Sequence, residues 1–183
     1  MAAIERADGR VILDGRLGCH VCGAQFSIAG GVASFSPAPP AELLAGADGG
    51  ADPLRIAALL GLESASGVVV LEGGAASAAD TLLEMLPVSV LAVNPTQPTP
   101  PRERFGAIST AAGIPLRTGV AAGVALVTSA STMDSARVLR VGGRLLAPTG
   151  AEVPAGLTQL ARDEREWVAV KTGTGEAIQL TRR

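Results

Sequence analysis

Two continuous apolar runs, Gly67 to Leu71 and Val88 to Val93, flank a helical stretch from Ser77 to Leu86 that ends at Pro87. Successive side chains of a strand point to opposite faces, so a strand without polar alternation must be covered on both sides. Strand, helix and strand in that order predict a parallel pair joined by a crossover. The pattern continues with short strands at Ala107 to Ser109 and Val124 to Thr128. A helix over Ser131 to Arg140 is closed by Gly142-Gly143, and a strand follows over Arg144 to Ala147. Trp167 to Lys171 and Ala177 to Thr181 alternate around Thr172-Gly173-Thr174-Gly175, which predicts a terminal antiparallel hairpin. The fold class is therefore α/β, a mostly parallel Rossmann-like sheet that ends in a C-terminal antiparallel hairpin.

This pattern begins at Asp52-Pro53, an N-cap followed by proline at the first helical position, with Gly61 as the stop. The stretch Ser36 to Asp52 is rich in Pro, Ala and Gly and reads as a linker with at most a short helix around Ala41 to Ala45. Upstream lies a small β unit. Val11 to Leu13 and Arg16 to Gly18 flank Asp14-Gly15, a hairpin turn signal, and a second hairpin surrounds Ala29-Gly30-Gly31. The expected organisation is a β module over 1–36, a linker over 37–51 and an α/β domain over 52–183.

With 48% hydrophobic and 17% charged residues, the 183-residue chain is globular. Only three phenylalanines and one tryptophan are present, so its core must be built from Ala, Val, Leu and Ile. A net charge of −2 and scattered arginines supply neither a basic stripe nor stacking aromatics, and no nucleic acid is expected as a partner. No stretch has the length of a membrane span or the layout of a signal peptide, which makes a cytoplasmic protein with free thiols the expectation.

The order of elements after Asp52 resembles the class I S-adenosylmethionine-dependent methyltransferases. Val68-Val69-Val70-Leu71-Glu72-Gly73-Gly74-Ala75-Ala76 is similar to the family's first strand and its acidic, glycine-rich turn. Gly113-Ile114-Pro115-Leu116 is similar to the apolar-proline-apolar step before the fourth strand. Ala136 to Pro148 is similar to the helix-to-strand turn, with Val141 where proline is usual. The segment from Leu17 to Ile28 resembles half of a zinc-ribbon-like module, in which His20 stands where proline is usual and the second cysteine pair is missing.

The resemblance implies cofactor contacts at Glu72, Gly74 and the end of the second strand. Glu72 and Gly74 match, but the next glycine position is Ala76, and Asn94 stands where an acidic residue would accept from the ribose hydroxyls. Arg117, which has no acceptor, replaces the acidic group expected near the adenine, and Ala121-Ala122-Gly123 replaces a common aspartate. Each hydrogen bond that these replacements forgo is typically worth about 0.5–1.5 kcal/mol. Glu72, Gly74 and Asn94 are therefore vestigial cofactor residues. No cofactor is expected, with S-adenosylmethionine as the alternative.

Cys19 and Cys22 have the spacing of one zinc knuckle, but a structural zinc needs about four ligands. The pair is expected to be a degenerate knuckle packed as small apolar residues, with no metal. A Rieske-type cluster would need two histidines, and His20 is the only one. No nucleophile elbow, triad or Walker sequence occurs, so no catalytic residue is named. The run Arg162 to Glu166 reads as a solvated segment. The sequence thus points to a non-catalytic methyltransferase-like pseudoenzyme, an accessory or structural subunit of a larger protein assembly with protein partners. The alternative is an active methyltransferase on a small molecule.

Overall fold

The computed structural model describes residues 2–36, 52–64, 66–97, 100–111, 113–129 and 131–173. The expected helix around Ala41 to Ala45 and the second hairpin arm, Ala177 to Thr181, lie outside the described residues. In chain order the strands are β1 (Ala2–Asp8), β2 (Val11–Gly18), β3 (Gln25–Ala29), β4 (Val32–Ser34), β5 (Gly67–Glu72), β6 (Val88–Val93), β7 (Phe105–Ser109), β8 (Ala121–Ala125), β9 (Leu139–Pro148), β10 (Leu157–Arg162) and β11 (Glu166–Lys171). The α-helices are α1 (Pro53–Leu60), α2 (Ala79–Met85) and α3 (Thr132–Val138).

All these strands form one sheet in the order β1-β2-β3-β4-β7-β6-β5-β8-β9-β11-β10. The sheet is mixed rather than mostly parallel. The centre, β4 through β9, pairs parallel. Antiparallel hairpins flank it on both sides. From β5 the chain moves one way through β6 and β7, then crosses to β8 and β9 on the other side. Neighbouring strands that leave in opposite directions open a crevice beyond their carboxyl ends, the usual ligand position in such sheets.

Residues of β5 enter two separate cores, as the continuous apolar run requires. Val69 and Leu71 pack with Ile56 and Leu60 of α1 and Leu82 of α2. Val70 packs on the opposite face with Val138 of α3, Ile114 and Trp167. Asp52 caps α1 through its carboxylate, which accepts from the backbone N–H groups of Leu54 (2.9 Å) and Arg55 (3.3 Å). Gly61 ends the helix at φ 64°, a conformation that favours glycine.

Several local expectations are corrected. Asp14-Gly15 is not a turn, because β2 runs straight through it and pairs with β1. The turn lies at Gly9-Arg10 instead, and Gly15 is needed for close approach: a Cβ there would lie 2.3 Å from the Ala3 carbonyl oxygen. The helix before the Gly142-Gly143 step stops at Val138, and β9 begins at Leu139. Gly142 and Gly143 form an irregularity in the pairing with β8 rather than a helix stop. Trp167 to Lys171 of the expected terminal hairpin form β11, which also pairs antiparallel with β10 through a turn at the charged run Asp163 to Arg165. That run is not merely solvated. The Asp163 carboxylate accepts from the N–H groups of Arg165 and Glu166 at 2.8 Å and closes the turn.

The N-terminal hairpins continue the sheet of the α/β unit. β4 pairs with β7 through Val32↔Ala107, Ala33↔Ile108 and Ser34↔Ser109. Gly31, at φ 82°, lies against Pro101 so closely that a Cβ would be 2.6 Å from its ring.

Candidate functional site

A cleft of about 540 Å³ opens at the carboxyl ends of the parallel strands, where the change of winding direction places it. Its volume falls within the range usual for small-molecule sites. Each strand from β5 to β9, or the loop after it, contributes to the wall. Glu72 comes from β5, Asn94 from just after β6, Thr110 from just after β7, Thr128 and Ser131 from beyond β8, and Pro148 from β9.

Glu72 is 3% exposed and lies at the switch point itself. Its Oε2 accepts from the backbone N–H groups of Val127 (3.1 Å) and Thr128 (3.0 Å) and from the Thr128 hydroxyl (3.0 Å). Its Oε1 accepts from the Ser131 hydroxyl at 2.8 Å. A buried carboxylate requires such donors. The side chain therefore ties the loop after β8 to the end of β5 across the crevice.

Asn94 plays the same part between β6 and β7. It sits at φ 50°, a left-handed conformation that asparagine tolerates better than most residues. Its Oδ1 accepts from the Thr110 backbone N–H, and its Nδ2 donates to the Thr110 carbonyl, both at 2.8 Å. The amide thus extends the ladder one step beyond the strand ends. A carboxylate could make only one of these two bonds, which gives this position a physical reason to hold an amide.

A third fastening closes the cleft on the α3 side. Asp134 accepts from the Ile114 backbone N–H and from Arg137 Nε, the latter at 2.7 Å. Arg137 in turn donates to the carbonyls of Leu116 (2.7 Å) and Ile114 (2.8 Å). The apolar-proline-apolar step is thereby clamped to α3. Sequence reasoning misses Asp134, since nothing local marks a partner twenty residues away.

Of the residues expected at the cofactor, Glu72 and Asn94 line the cleft, whereas Gly74 is not among its lining residues. The Gly74 carbonyl accepts from the Ser77 hydroxyl at 2.8 Å within a 3-10 turn, Gly73–Ala78. Arg117 is exposed and also outside the lining. Bond capacity remains on two oxygens: a carboxylate or amide oxygen has two lone pairs, and Glu72 Oε1 and Asn94 Oδ1 each accept one described bond.

Cys19 and Cys22 lie far along the sheet, in the turn between β2 and β3. They are not packed as core residues, which corrects the expectation: Cys22 is exposed and Cys19 half-buried. Among the described residues no group of three or more His, Cys, Asp and Glu side chains gathers as a metal would require. No helix of the described residues is long and apolar enough to cross a membrane.

No protein-family model matches the chain, and no curated protein matches it. Solved structures similar to it include several methyltransferases. The antibiotic-resistance methyltransferase Kmr is 12% identical, with a TM-score of 0.44 over 67% of this chain and 94% of that one. A Burkholderia thailandensis 1,6-didemethyltoxoflavin-N1-methyltransferase, with bound 1,6-didemethyltoxoflavin and S-adenosylhomocysteine, is 16% identical, with a TM-score of 0.44 over 66% and 76%. A T. thermophilus 16S rRNA methyltransferase in complex with AdoMet and guanosine is 19% identical, with a TM-score of 0.38 over 87% and 45%. Against the expectation of no cofactor, two of these similar structures hold S-adenosylhomocysteine and AdoMet, respectively. The chain is an α/β protein built on one large mixed sheet.

Proposed function

We propose that this chain is a methyltransferase-like accessory subunit that binds an S-adenosyl nucleoside in its cleft without itself transferring a methyl group. The observation that carries the binding half is the position of Glu72 and Asn94: both line the cleft, and each has an oxygen with one acceptor direction left. Those two oxygens would receive donors from the nucleoside, with Glu72 at the switch point and Asn94 one strand over. Gly74 has no part in this reading. Bound S-adenosylmethionine would supply an activated methyl group; the chain's own residues supply position and shape.

The non-catalytic half rests on what surrounds the cleft. Among the described residues its lining contains no histidine, lysine, cysteine or tyrosine to take a proton from an acceptor, and its two carboxylates, Glu72 and Asp134, already hold loops together. The accessory role is supported by the sheet's margins. Every residue of β1 is exposed, as is nearly all of β10, and strands at a sheet margin are ready templates for pairing with another chain.

Calorimetric titration with S-adenosylhomocysteine tests the binding half, and the expected result is saturable one-to-one binding. Absence of saturation at millimolar ligand overturns it. Incubation of the chain with labelled S-adenosylmethionine and cell extract tests the other half; transfer of label to any acceptor, lost in a Glu72→Ala variant, would show an enzyme. Gel filtration of the tagged chain from its native cells should place it well above the 18.3 kDa of one copy.

A further inference from the structure

The turn between β2 and β3 carries two thiols three residues apart, outside the lining of the cleft. Cys19 follows the last residue of β2, and the loop closes on itself: Cys19 N–H donates to the Ala24 carbonyl at 2.9 Å, and Gly23 N–H to the Cys19 carbonyl at 3.0 Å. Gly23, at φ 72°, allows the reversal, and a Cβ there would meet nothing within 4 Å. The backbone N–H groups of Cys22 and Val21, followed by the Cys22 thiol, lower the Cys19 pKa from its ordinary value of 9.0. Cys22 is exposed, Val21 at the tip is 81% exposed, and Cys19 is half-buried beside them.

We propose that Cys19 and Cys22 form a reversible dithiol–disulfide site that exchanges with small disulfides of the glutathione class. Two cysteines separated by two residues on one closed surface turn, with the second thiol available to resolve a mixed disulfide, are what such exchange needs. The Cys19 thiolate attacks one sulfur of the oxidised glutathione, forming a mixed disulfide as the S–S bond breaks and one glutathione thiolate leaves. Cys22, losing its proton to water, attacks the Cys19 sulfur and expels the second glutathione. The protein dithiol loses two electrons, one disulfide becomes two thiols, and both protons end on the glutathione.

The test equilibrates the full chain at neutral pH with glutathione mixtures from fully reduced to fully oxidised, quenches by alkylation and reads the intact mass. The expected result is a single transition in which two alkylation sites disappear together, with no retained glutathione. Cys22→Ser should stop at one glutathione on Cys19. Cys19→Ser should leave a thiol that reacts with a maleimide about threefold or more slowly than the pair does, because the supported thiolate is gone. Both cysteines remaining alkylatable in pure oxidised glutathione overturns the proposal. So does about half a zinc per chain in the purified protein with both thiols protected, which would make the pair ligands shared between two copies.

Discussion

The Asn94 side chain pairs with both backbone groups of Thr110, accepting from its N–H and donating to its carbonyl at 2.8 Å each. Replacing Asn94 by aspartate would restore the acidic group that the family resemblance implies, yet set a carboxylate oxygen against the Thr110 carbonyl. One buried bond is lost, and an acceptor is left facing an anion. Asn94→Asp is expected to lose at least about 2 kcal/mol of stability, measured by urea denaturation. A neutral or stabilising result would show that the amide pairing is not formed in solution.

Glu72 should behave as a structural post whether or not a ligand is present. Glu72→Gln keeps an oxygen for the three donors on Oε2 but removes the charge that strengthens them, and a loss of about 1–3 kcal/mol is expected. Glu72→Ala should lose more, since the Val127 and Thr128 N–H groups are then left without their partner. Amide exchange at those two positions should accelerate selectively. Unchanged protection there would place the loop's support elsewhere.

How much of this is legible in the sequence depends on how local each feature is. Asp52 and Gly61 can be read directly, because a cap bonds to residues two or three positions away. The buried strands β5 and β6 are equally plain from their unbroken apolar runs. Two successive Asp-Gly pairs, Asp8-Gly9 and Asp14-Gly15, carry the same turn signal; the choice between them is made by β1, a strand with every residue exposed and no hydrophobic pattern to reveal it. Likewise Asn94 reads in the sequence as a damaged acidic site, because its partner Thr110 comes within reach only through the register of β6 with β7. The Asp134–Ile114 clamp escapes sequence reasoning for the same reason.

The sheet's continuity through β4 makes a prediction at Gly31. It combines φ 82° with a distance of only 2.6 Å from an added Cβ to the Pro101 ring, so a side chain there is strained and also pushes β4 away from β7. Gly31→Ala is expected to cost about 1–3 kcal/mol and to make residues 2–36 the first segment cut in limited proteolysis. Wild-type resistance in the variant would show that the hairpins are held by something other than this contact.

Acid stability should carry the mark of Asp163. The N–H groups of Glu166 and Arg165, followed by Arg55, hold its carboxyl below the ordinary value of 3.8. The folded pKa is thus lower than the unfolded one. Its stabilising contribution is complete above the ordinary carboxylate range and is lost as the pH falls through the lowered folded value. Asp163→Asn removes that dependence, so its stability should fall less steeply than the wild type's below about pH 4. Parallel acid limbs for the two proteins would mean that the turn is not closed by the carboxylate.

Trp167, the only tryptophan, offers a reporter of the cleft. It is 1% exposed, and its Nε1 donates to the Ala151 carbonyl at 2.8 Å. Ala151 directly follows Gly150, which lines the cleft together with Pro148 on β9. A ligand pressing on that wall changes the strength of the indole hydrogen bond, to which indole emission is sensitive. Titration with S-adenosylhomocysteine should therefore give a saturable change in fluorescence with the same midpoint as calorimetry. Trp167→Phe should abolish the signal and cost about 1–2 kcal/mol through the unpaired carbonyl, while calorimetric binding persists. Calorimetric saturation with no change in the indole would put the ligand away from the β9 wall, and with it away from the cleft that Glu72 and Asn94 line.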